Sequence, residues 1–304
     1  MTEKILVLGC SGQVGNQLVK IVCPEELAIT GLSHAEADIT RKNDISNVIQ
    51  KSKCSLVINA AAFTEVDAAE NKKDKAYEIN EKGTFNVGEA CHKAGIPLIH
   101  ISTDYVFDGT KNIGFTEDDL VNPLGVYGAS KNAGEFALRK VLNEHIILRT
   151  SWVYSATGKN FVKTILRLGN EHGEISVVDD QIGCPTSAHE IAQVIIEMAK
   201  QIIFYKKQDK WGTYHYCGDT EMTWYAFARQ MYKVISKLNG CSVPKIIPIT
   251  TDKYPTEARR PRNSVLNCLR IDQVYGIQQQ PFVSNLSQVL KELLAIDVPD
   301  RRRN

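Results

Sequence analysis

Tyr127 and Lys131 are residues whose types and spacing suit acid–base chemistry. Positions four apart on a helix share a face, so the ammonium of Lys131 is expected close to the phenol of Tyr127. A nearby positive charge favours the phenolate, and we expect it to lower the phenol's pKa from its usual value of about 10. Such a phenol can give a proton to a carbonyl oxygen while hydride attacks the carbon. The alternative is a surface lysine beside a tyrosine at a helix start.

Polar side chains also stand in a row in the stretch HISTDYVFDG, which follows an apolar run. The run over residues 95–99 predicts the start of a buried strand, and its end carries Ser102, Thr103, Asp104 and Tyr105. Unpaired buried polar groups are costly, so a strand that only filled a core would not end this way. Ligands of open parallel sheets bind beyond the carboxyl ends of the strands. We therefore expect Thr103 or Ser102 to hydrogen-bond a substrate oxygen beside Tyr127.

Three glycines follow the first predicted strand and open the first predicted helix, in the spacing Gly9-x-x-Gly12-x-x-Gly15. Glycines permit a tight turn and let the backbone approach a pyrophosphate, whose charge the helix N-terminus favours. Glycines also accumulate in ordinary strand–helix turns. The position at the first such turn of an alternating strand–helix pattern favours a dinucleotide site.

The residues at the end of the second predicted strand bear on the choice of nucleotide. An acid about 20 residues after the glycine loop binds the adenosine ribose of NAD. Here that position holds Ser33 and His34, neither of which is a carboxylate. We therefore expect the site to admit the 2′-phosphate of NADP(H), with NAD(H) as the alternative. Asp38 and Ile39 are expected to border the adenine, unless Asp38 caps the next helix.

The elements that must position these residues alternate between strand and helix. Predicted strands begin at Lys4, Glu26, Ser55, Pro97 and His145. Predicted helices cover residues 12–22, 41–53, 71–94 and 128–144. Nearly continuous apolar strands separated by helices indicate a parallel sheet covered on both faces. The predicted fold class is α/β, a Rossmann-type doubly wound parallel sheet with a smaller C-terminal substrate-binding region.

The alternation is looser after Trp152. Helices are predicted over residues 161–168, 188–200 and 223–238, and strands over residues 175–179 and 214–217. We place an NAD(P)-binding Rossmann domain at 1–156 and a mainly substrate-binding region at 157–304. Segments near 188–218 are expected to return to the Rossmann sheet, and the proline-rich segment 244–261 is expected to be irregular.

The composition limits the classes of partner that the chain is expected to bind. Lys+Arg 36 against Asp+Glu 35 give a net charge of +1, which supports neither a nucleic-acid nor an anionic-membrane partner. The arginines at 301–303 are interpreted as a solvated terminus. The eight cysteines form no CxxC pair, so we expect free thiols and no metal site. No apolar run approaches the roughly 18 residues of a membrane span, and a signal-peptide pattern is absent, so a cytoplasmic location is expected.

The glycine loop, Thr103 and the Tyr127-x-x-x-Lys131 pair together resemble the extended short-chain dehydrogenase/reductases. Further segments are similar to those of the dTDP-4-dehydrorhamnose reductase family: NAAAFTEVDAAE (59–70), STDYVFDG (102–109), RTSWVY (149–154), NFVKT (160–164), DQIGCPT (180–186) and ARRPRNS (258–264). They span nearly the whole chain. The resemblance implies reduction of the 4-keto group of dTDP-4-dehydro-6-deoxy-L-mannose by NADPH, or alternatively NADH, to give dTDP-L-rhamnose.

The resemblance also implies roles by position. Tyr127 is the proton donor, Lys131 tunes it and holds the nicotinamide ribose, and Thr103 orients the substrate carbonyl. The implied cofactor-binding positions are Gly9, Gly12, Gln13, Val14, Gly15, Ala60, Ala61 and Ala62. The positions implied to face the sugar are Thr64, Asp104, Tyr105 and Trp152. Asn80 is expected to support the sheet through hydrogen bonds.

Some members of this family hold Mg²⁺ at a dimer interface, with a glutamate two residues past the third glycine. Gln17 stands at that position here, so we do not extend the metal to this chain, while a homodimer remains compatible with the resemblance. One alternative is a binding protein on the same fold, since the regulatory β subunit of methionine adenosyltransferase also resembles this family. Another is a reductase or epimerase of a different nucleotide-linked sugar, because the fold does not select the substrate.

Overall fold

The structure is a computed structural model that describes residues 2–205, 210–239 and 243–296. Cys241 and the basic residues at 301–303 lie outside this part of the chain. The strands are β1 (Glu3–Leu8), β2 (Leu27–Leu32), β3 (Leu56–Asn59), β4 (Leu98–Thr103), β5 (His145–Thr150), β6 (Val153–Tyr154), β7 (Glu174–Val178), β8 (Ile182–Gly183), β9 (Thr186–Ser187), β10 (Gly212–His215), β11 (Met222–Thr223) and β12 (Lys245–Ile249). The α-helices are α1 (Gln13–Lys20), α2 (Lys42–Ser52), α3 (Val66–Asn71), α4 (Lys73–Tyr77), α5 (Thr84–Ala94), α6 (Val126–Val141), α7 (Phe161–Glu171), α8 (Ala188–Tyr205), α9 (Trp224–Asn239), α10 (Leu269–Tyr275) and α11 (Phe282–Ile296).

The main sheet has six parallel strands in the order β10-β5-β4-β3-β1-β2. Helices α1 and α8 pack together on one face, and α2, α5 and α6 cover the other. Successive residues of β1 alternate between the two layers, because adjacent side chains of a strand point to opposite faces. Ile5 and Val7 join the core under α1 and α8, whereas Leu6 and Leu8 join the core under α2 and α5. The predicted doubly wound α/β class is confirmed.

The direction of winding reverses at β1, which lies between β2 and β3. In open parallel sheets this reversal opens a crevice beyond the carboxyl ends of the strands, where ligands bind. The register aligns Leu8 of β1 with Asn59 of β3, and Thr103 of β4 with Thr150 of β5. The residues that follow these strands therefore meet at one edge of the sheet.

A second core is built by the C-terminal elements α7, α9 and α11 together with the parallel pair β7–β12. The prediction of an irregular segment over 244–261 was wrong for its first part, since Lys245–Ile249 forms β12 beside Glu174–Val178. Pro248 lies within this strand, which is tolerated because the pair leaves one side of β12 unpaired. Thr251 follows β12 and donates its backbone N–H and hydroxyl to the carboxylate of Asp180, which fixes the end of the strand.

The predicted helix over 71–94 is divided in the structure. Helix α3 ends at Asn71 and α4 begins at Lys73, while α4 continues into α5 through a π-helical turn at Glu78–Gly83. Asn80 lies in this turn, and π turns are often found at functional sites. Its side chain accepts from Phe63 N at 2.8 Å and donates to Phe63 O at 3.1 Å, so it holds the loop after β3. The amide of Asn80 also donates to Ser130 Oγ of α6 at 2.9 Å.

Candidate active site

A cavity of about 540 Å³ opens at the carboxyl ends of the main-sheet strands. Many of the residues singled out from the sequence line it: Gly12, Gln13, Val14, Ala60, Ala62, Thr64, Ser102, Thr103, Asp104, Tyr105, Tyr127, Lys131 and Trp152. The lining also includes residues that sequence reasoning missed, namely Ser11, Glu65, Val66, Ile101, Thr150, Val153, Gly158, Lys159 and Trp224. The structure thus brings the glycine loop and the Thr–Tyr–Lys set to one cavity.

The glycine loop is shaped by close backbone approach. Gly9 has φ of +81°, and a Cβ there would lie 2.6 Å from the backbone nitrogen of Ala61. A Cβ on Gly15 would overlap the carbonyl oxygen of Gly9. Helix α1 begins at Gln13, directly after Gly12, so its unpaired first N–H groups face the cavity side. These residues fit a pyrophosphate, with Gly9 and Gly15 shaping the loop rather than lining the cavity.

The small residues after β3 lie beside the glycine loop. Ala60 N donates to Leu8 O at 3.0 Å, and Ala61 N donates to Asn59 Oδ1 at 3.1 Å. Ala61 thereby packs against Gly9 instead of facing the cavity. Ala60 and Ala62 line the cavity, and their methyl groups leave room beside the glycine loop.

A carboxylate that sequence reasoning missed lies at the end of β2. Ser33 donates its backbone N–H and its hydroxyl to Glu36 Oε2, at 2.8 and 2.7 Å. These bonds lower the pKa of the exposed Glu36 carboxyl, so it is charged at neutral pH. Leu32 O accepts from the backbone N–H groups of Gly9 and Cys10, which places this end of β2 beside the glycine loop. The local sequence signal is Ser33 followed by Glu36 three residues later.

Asp38 and Ile39 lie outside the cavity lining. Asp38 Oδ1 accepts from the backbone N–H and hydroxyl of Thr40, at 3.0 and 2.8 Å, so Asp38 closes a turn before α2. Arg41, not Asp38, occupies the N-cap position of that helix. Ile39 is buried in the core, and its carbonyl accepts from Asn86 Nδ2.

Tyr127 stands in the first turn of α6. The helix begins at Val126, whose N–H donates to Glu70 Oε1 at 2.8 Å. The Tyr127 ring packs edge-on against Tyr105, with centroids 5.6 Å apart. Burial raises the pKa of Tyr127 to about 12, while a hydrogen bond with Thr103 lowers it. The direction is opposite to the predicted lowering, because removal of the phenolate from water outweighs the effect of Thr103.

Lys131 is buried, with 2% of its surface exposed, and lies one helical turn after Tyr127. Its ammonium nitrogen donates to Ile101 O at 2.7 Å and lies 3.3 Å from His100 Nε2. Burial lowers the pKa of Lys131 to about 8, against the opposing effect of Glu135. The carbonyl group of Ile101 in β4 therefore fixes the position of the Lys131 nitrogen.

The two hydroxyls at the end of β4 have different surroundings. Ser102 Oγ donates to Glu135 Oε1 at 2.6 Å, and Glu135 pairs with Arg149 at 2.6 Å, so Ser102 belongs to a buried ion-pair network. Thr103 Oγ1 donates to Asp104 Oδ1 at 3.0 Å and accepts from Tyr105 N at 3.2 Å. Burial raises the pKa of Asp104 to about 6, despite hydrogen bonds from Ser264 and Thr103. Of the two hydroxyls, Thr103 is the one that lowers the pKa of the Tyr127 phenol.

Two indoles stack at the C-terminal side of the cavity. The rings of Trp152 and Trp224 lie 3.3 Å apart between centroids, with their planes inclined by 6°. Trp152 adopts φ of +45°, a left-handed conformation that is rare for a bulky residue and marks strain at functional sites. Gly183 makes room beneath it, because a Cβ there would overlap the Trp152 ring. No local pattern pairs Trp224 with Trp152, which is why sequence reasoning missed it.

Gln17 does not suit the Mg²⁺ site that the family resemblance raises. Its side chain is 8% exposed, and Oε1 lies 3.3 Å from His189 Nδ1 of α8. Mg²⁺ prefers carboxylate oxygens and water, whereas a neutral amide packed against an imidazole supplies neither.

No group of three or more His, Cys, Asp or Glu residues suited to a metal occurs within residues 2–205, 210–239 and 243–296. The seven cysteines described there are free thiols. In the same ranges no helix is long and apolar enough to cross a membrane.

A doubly wound parallel sheet, a glycine loop after β1 and a Thr–Tyr–Lys set at the ends of β4 and α6 define an extended short-chain dehydrogenase/reductase. Residues 3–295 match the sequence model of the family described as RmlD substrate binding domain. The chain belongs to this family, that of the dTDP-4-dehydrorhamnose reductases.

Individual relatives agree with this assignment. The chain is 39% identical over 288 residues to the dTDP-4-dehydrorhamnose reductase of Aggregatibacter actinomycetemcomitans, covering 94% of this chain and 98% of that protein. It is 38% identical over 275 residues to the one of Sinorhizobium fredii, covering 90% and 92% of the two chains. The crystal structure of the Bacillus anthracis dTDP-4-dehydrorhamnose reductase in complex with NADP superimposes with a TM-score of 0.88 at 35% identity, covering 96% of this chain and all of that one.

Proposed function

We propose that the chain reduces the 4-keto group of dTDP-4-dehydro-6-deoxy-L-mannose with NADPH and releases dTDP-L-rhamnose. The observation that carries this proposal is the meeting of Thr103, Tyr127 and Lys131 with the glycine loop in one cavity. The relatives named above act as reductases of this class, and most of their length is shared with this chain. We extend their substrate to this chain as part of the proposal.

Tyr127 acts as the proton donor. Its raised pKa keeps the phenol protonated at neutral pH, which is the state that a proton donor needs. When bound, the reduced nicotinamide supplies the hydride to the 4-carbon of the sugar. The Tyr127 proton moves to the carbonyl oxygen, and the phenolate left behind is stabilised by the hydroxyl of Thr103 and the ammonium of Lys131.

Trp152 forms the side of the cavity against which we place the sugar, with Thr64, Asp104 and Tyr105 at its polar edge. Trp224 and Gly183 lie against the Trp152 ring, so we place the sugar at the edge of this indole, while the carboxyl and hydroxyl groups bond its substituents. Asp104 is almost fully buried, so its oxygens have few competing waters. These residues orient the 4-carbonyl toward Tyr127.

NADPH is the proposed cofactor, with NADH as the alternative. Gly12, Gln13 and Val14 would hold the pyrophosphate, and Ala60 and Ala62 leave space for the nucleotide. We place the adenine near the turn that Asp38 closes, because this turn follows β2 at the edge of the glycine loop. The charge on Glu36 opposes a 2′-phosphate, so the two cofactors must be compared directly.

The deciding experiment is the oxidation of NADPH, and separately of NADH, with dTDP-4-dehydro-6-deoxy-L-mannose supplied by the preceding enzymes. We expect rapid loss of reduced cofactor and dTDP-L-rhamnose as the product. Cofactor binding without turnover would contradict the proposal and point to a regulatory subunit. Tightly retained NAD⁺ and turnover of another sugar nucleotide without net cofactor use would point to an epimerase.

Further properties of the chain stay predictions from its sequence. A cytoplasmic location and the lack of nucleic-acid and membrane partners rest on the charge balance and on the absence of apolar runs. A homodimer rests on the resemblance to the family. Size measurement of the purified chain decides between monomer and dimer.

A further inference from the structure

Three buried side chains form a chain of hydrogen bonds behind the cavity. Ala61 N donates to Asn59 Oδ1 at 3.1 Å, and Asn59 Nδ2 lies 3.2 Å from His100 Nδ1. His100 Nε2 in turn lies 3.3 Å from Lys131 Nζ, which also donates to Ile101 O. Asn59 and His100 have no exposed surface. These contacts connect a backbone N–H group to the amine of Lys131.

The donors and acceptors in this chain have a fixed direction. A backbone N–H can only donate, so the Asn59 atom that faces Ala61 is the oxygen, and the atom that faces His100 is the NH₂ group. His100 Nδ1 must then accept. Because a neutral imidazole carries one proton, Nε2 holds it and donates toward Lys131. The nitrogen of Lys131 can accept this bond only through the lone pair of a neutral amine.

The ammonium form of Lys131 disrupts this order. An ammonium has no lone pair, so Nε2 of His100 must accept and Nδ1 must carry the proton. Two donors, Nδ1–H and the Asn59 NH₂ group, then face each other. Rotation of the Asn59 amide moves the conflict to Ala61 N–H without removing it. The neutral amine satisfies every group, whereas the ammonium leaves one buried donor pair opposed.

We propose that Asn59 and His100 are positioning residues that set the protonation state of Lys131, because their hydrogen-bond chain favours the neutral amine over the ammonium. This chain of hydrogen bonds ends at a backbone N–H group. It therefore fixes which atom of each pair donates, and no proton passes along it. It thereby fixes the pH above which Lys131 stops stabilising the phenolate of Tyr127. This pH consequence rests on the proposed function, whereas the tautomer of His100 does not.

The surrounding charges are consistent with this proposal. Lys131 faces Glu135 of its own helix, but this carboxylate is paired with Arg149 and Arg139 at 2.6 and 2.8 Å. His100 faces Lys131, His145 and Arg139, and both its burial and these neighbours lower its pKa. Tyr127, one turn before Lys131, is protonated at neutral pH. His100 is therefore neutral and can hold the tautomer that the chain requires.

The test uses Asn59→Asp to reverse the direction of the hydrogen bonds between Asn59, His100 and Lys131. A carboxylate accepts from both Ala61 N–H and His100 Nδ1–H, which leaves Nε2 to accept from an ammonium on Lys131. The alkaline limb of kcat/KM reports the loss of the Lys131 ammonium, and we expect it to move upward by about one pH unit. Nitrogen NMR of His100, assigned with His100→Gln, should show the Nε2–H tautomer in the wild type at about pH 9 and the Nδ1–H tautomer in Asn59→Asp.

The double variant Asn59→Asp/His100→Gln is the control for the added charge. Without the imidazole the carboxylate acts only through space, so the double variant should show an alkaline limb close to that of His100→Gln. An Nδ1–H tautomer in the wild type at about pH 9 would overturn the proposal even if Asn59→Asp does not fold. An equal shift of the limb with and without His100 would overturn it as well. If the chain lacks turnover of the proposed substrate, the NMR result still decides.

Discussion

At the residue scale, burial moves the two titrating groups of the site toward their uncharged forms. The pKa of Tyr127 rises to about 12 and that of Lys131 falls to about 8. At neutral pH both groups still carry their protons, which is the arrangement that a reduction needs. As the pH rises, Lys131 loses its charge before the phenol loses its proton. The alkaline loss of activity is therefore expected to follow Lys131.

Removal of the phenol tests the proton donor. Tyr127→Phe keeps the ring that packs against Tyr105 and should retain NADPH binding, measured by fluorescence titration. General acid catalysis is worth about 10²–10⁴ in rate, so kcat should fall at least about 100-fold. Full activity in this variant would end the proposed mechanism.

Tyr154→Phe is the matched control for this loss. Tyr154 is 1% exposed, and its hydroxyl has no hydrogen-bond partner among the residues that the structure describes. Its removal should leave kcat unchanged and leave the fold at least as stable, because an unsatisfied buried polar group is lost.

The Glu36 carboxylate predicts a measurable effect on cofactor choice. Glu36→Gln removes a negative charge at the end of β2 while an amide can still accept from Ser33. We expect kcat/KM for NADPH to rise roughly two- to tenfold relative to NADH, because a charge opposed to the 2′-phosphate is gone. Steady-state kinetics with both cofactors measure this ratio.

Glu25→Gln is the matched control, because it also removes one negative charge. Glu25 lies before β2, at the opposite end of the strand from Glu36. It should leave the ratio of the two kcat/KM values as in the wild type. An equal ratio in Glu36→Gln and wild type would show that Glu36 does not contact the adenosine ribose region.

At the scale of elements, helix α6 sets the site because it packs closely against two other segments. A Cβ on Gly128 would overlap the carbonyl oxygen of Tyr105, and one on Gly134 would overlap that of Asn80. These two glycines flank the turn that carries Lys131. The loop after β4 and the π turn therefore hold the helix on both sides of Lys131.

Much of this arrangement is predictable from local patterns. The apolar run HIILRT predicts a strand, and β5 covers His145–Thr150. The glycine loop and the Tyr–Lys spacing lie where an alternating strand–helix pattern places them, at one edge of the sheet. Local patterns suffice here because apolar strands and helix periodicity determine which residues reach that edge.

Other features depend on contacts between distant residues and escape local patterns. The strand around Pro248 is stabilised by its pairing with β7, about 70 residues earlier. The stack of Trp224 on Trp152 joins α9 to the end of β5 in the same way. The direction of the Tyr127 pKa shift depends on burial, which the spacing of Tyr127 and Lys131 does not reveal.

At the scale of the whole molecule, the C-terminal part of the chain contributes Gly158, Lys159 and Trp224 to the cavity lining. Gln13 Oε1 accepts from Ser155 Oγ and Asn160 Nδ2, each at 2.9 Å, which ties α1 to the segment before α7. Arg260 pairs with Asp67 of α3 at 2.7 Å, which ties the ARRPRNS segment to the loop after β3. A ligand in the cavity therefore contacts both parts of the chain and stabilises them together.

This coupling predicts that NADPH raises the melting temperature of the whole chain in one transition. A ligand at 100 times its Kd stabilises the folded state by about 2.7 kcal/mol, which in a chain of this size corresponds to roughly 5 °C. Thermal unfolding followed by circular dichroism with increasing NADPH measures the shift. Lys131→Ala should show a smaller rise at the same concentration, because it lacks the ammonium proposed to hold the nicotinamide ribose. Two separate transitions, with only one that responds to NADPH, would show that the C-terminal elements unfold independently of the nucleotide site.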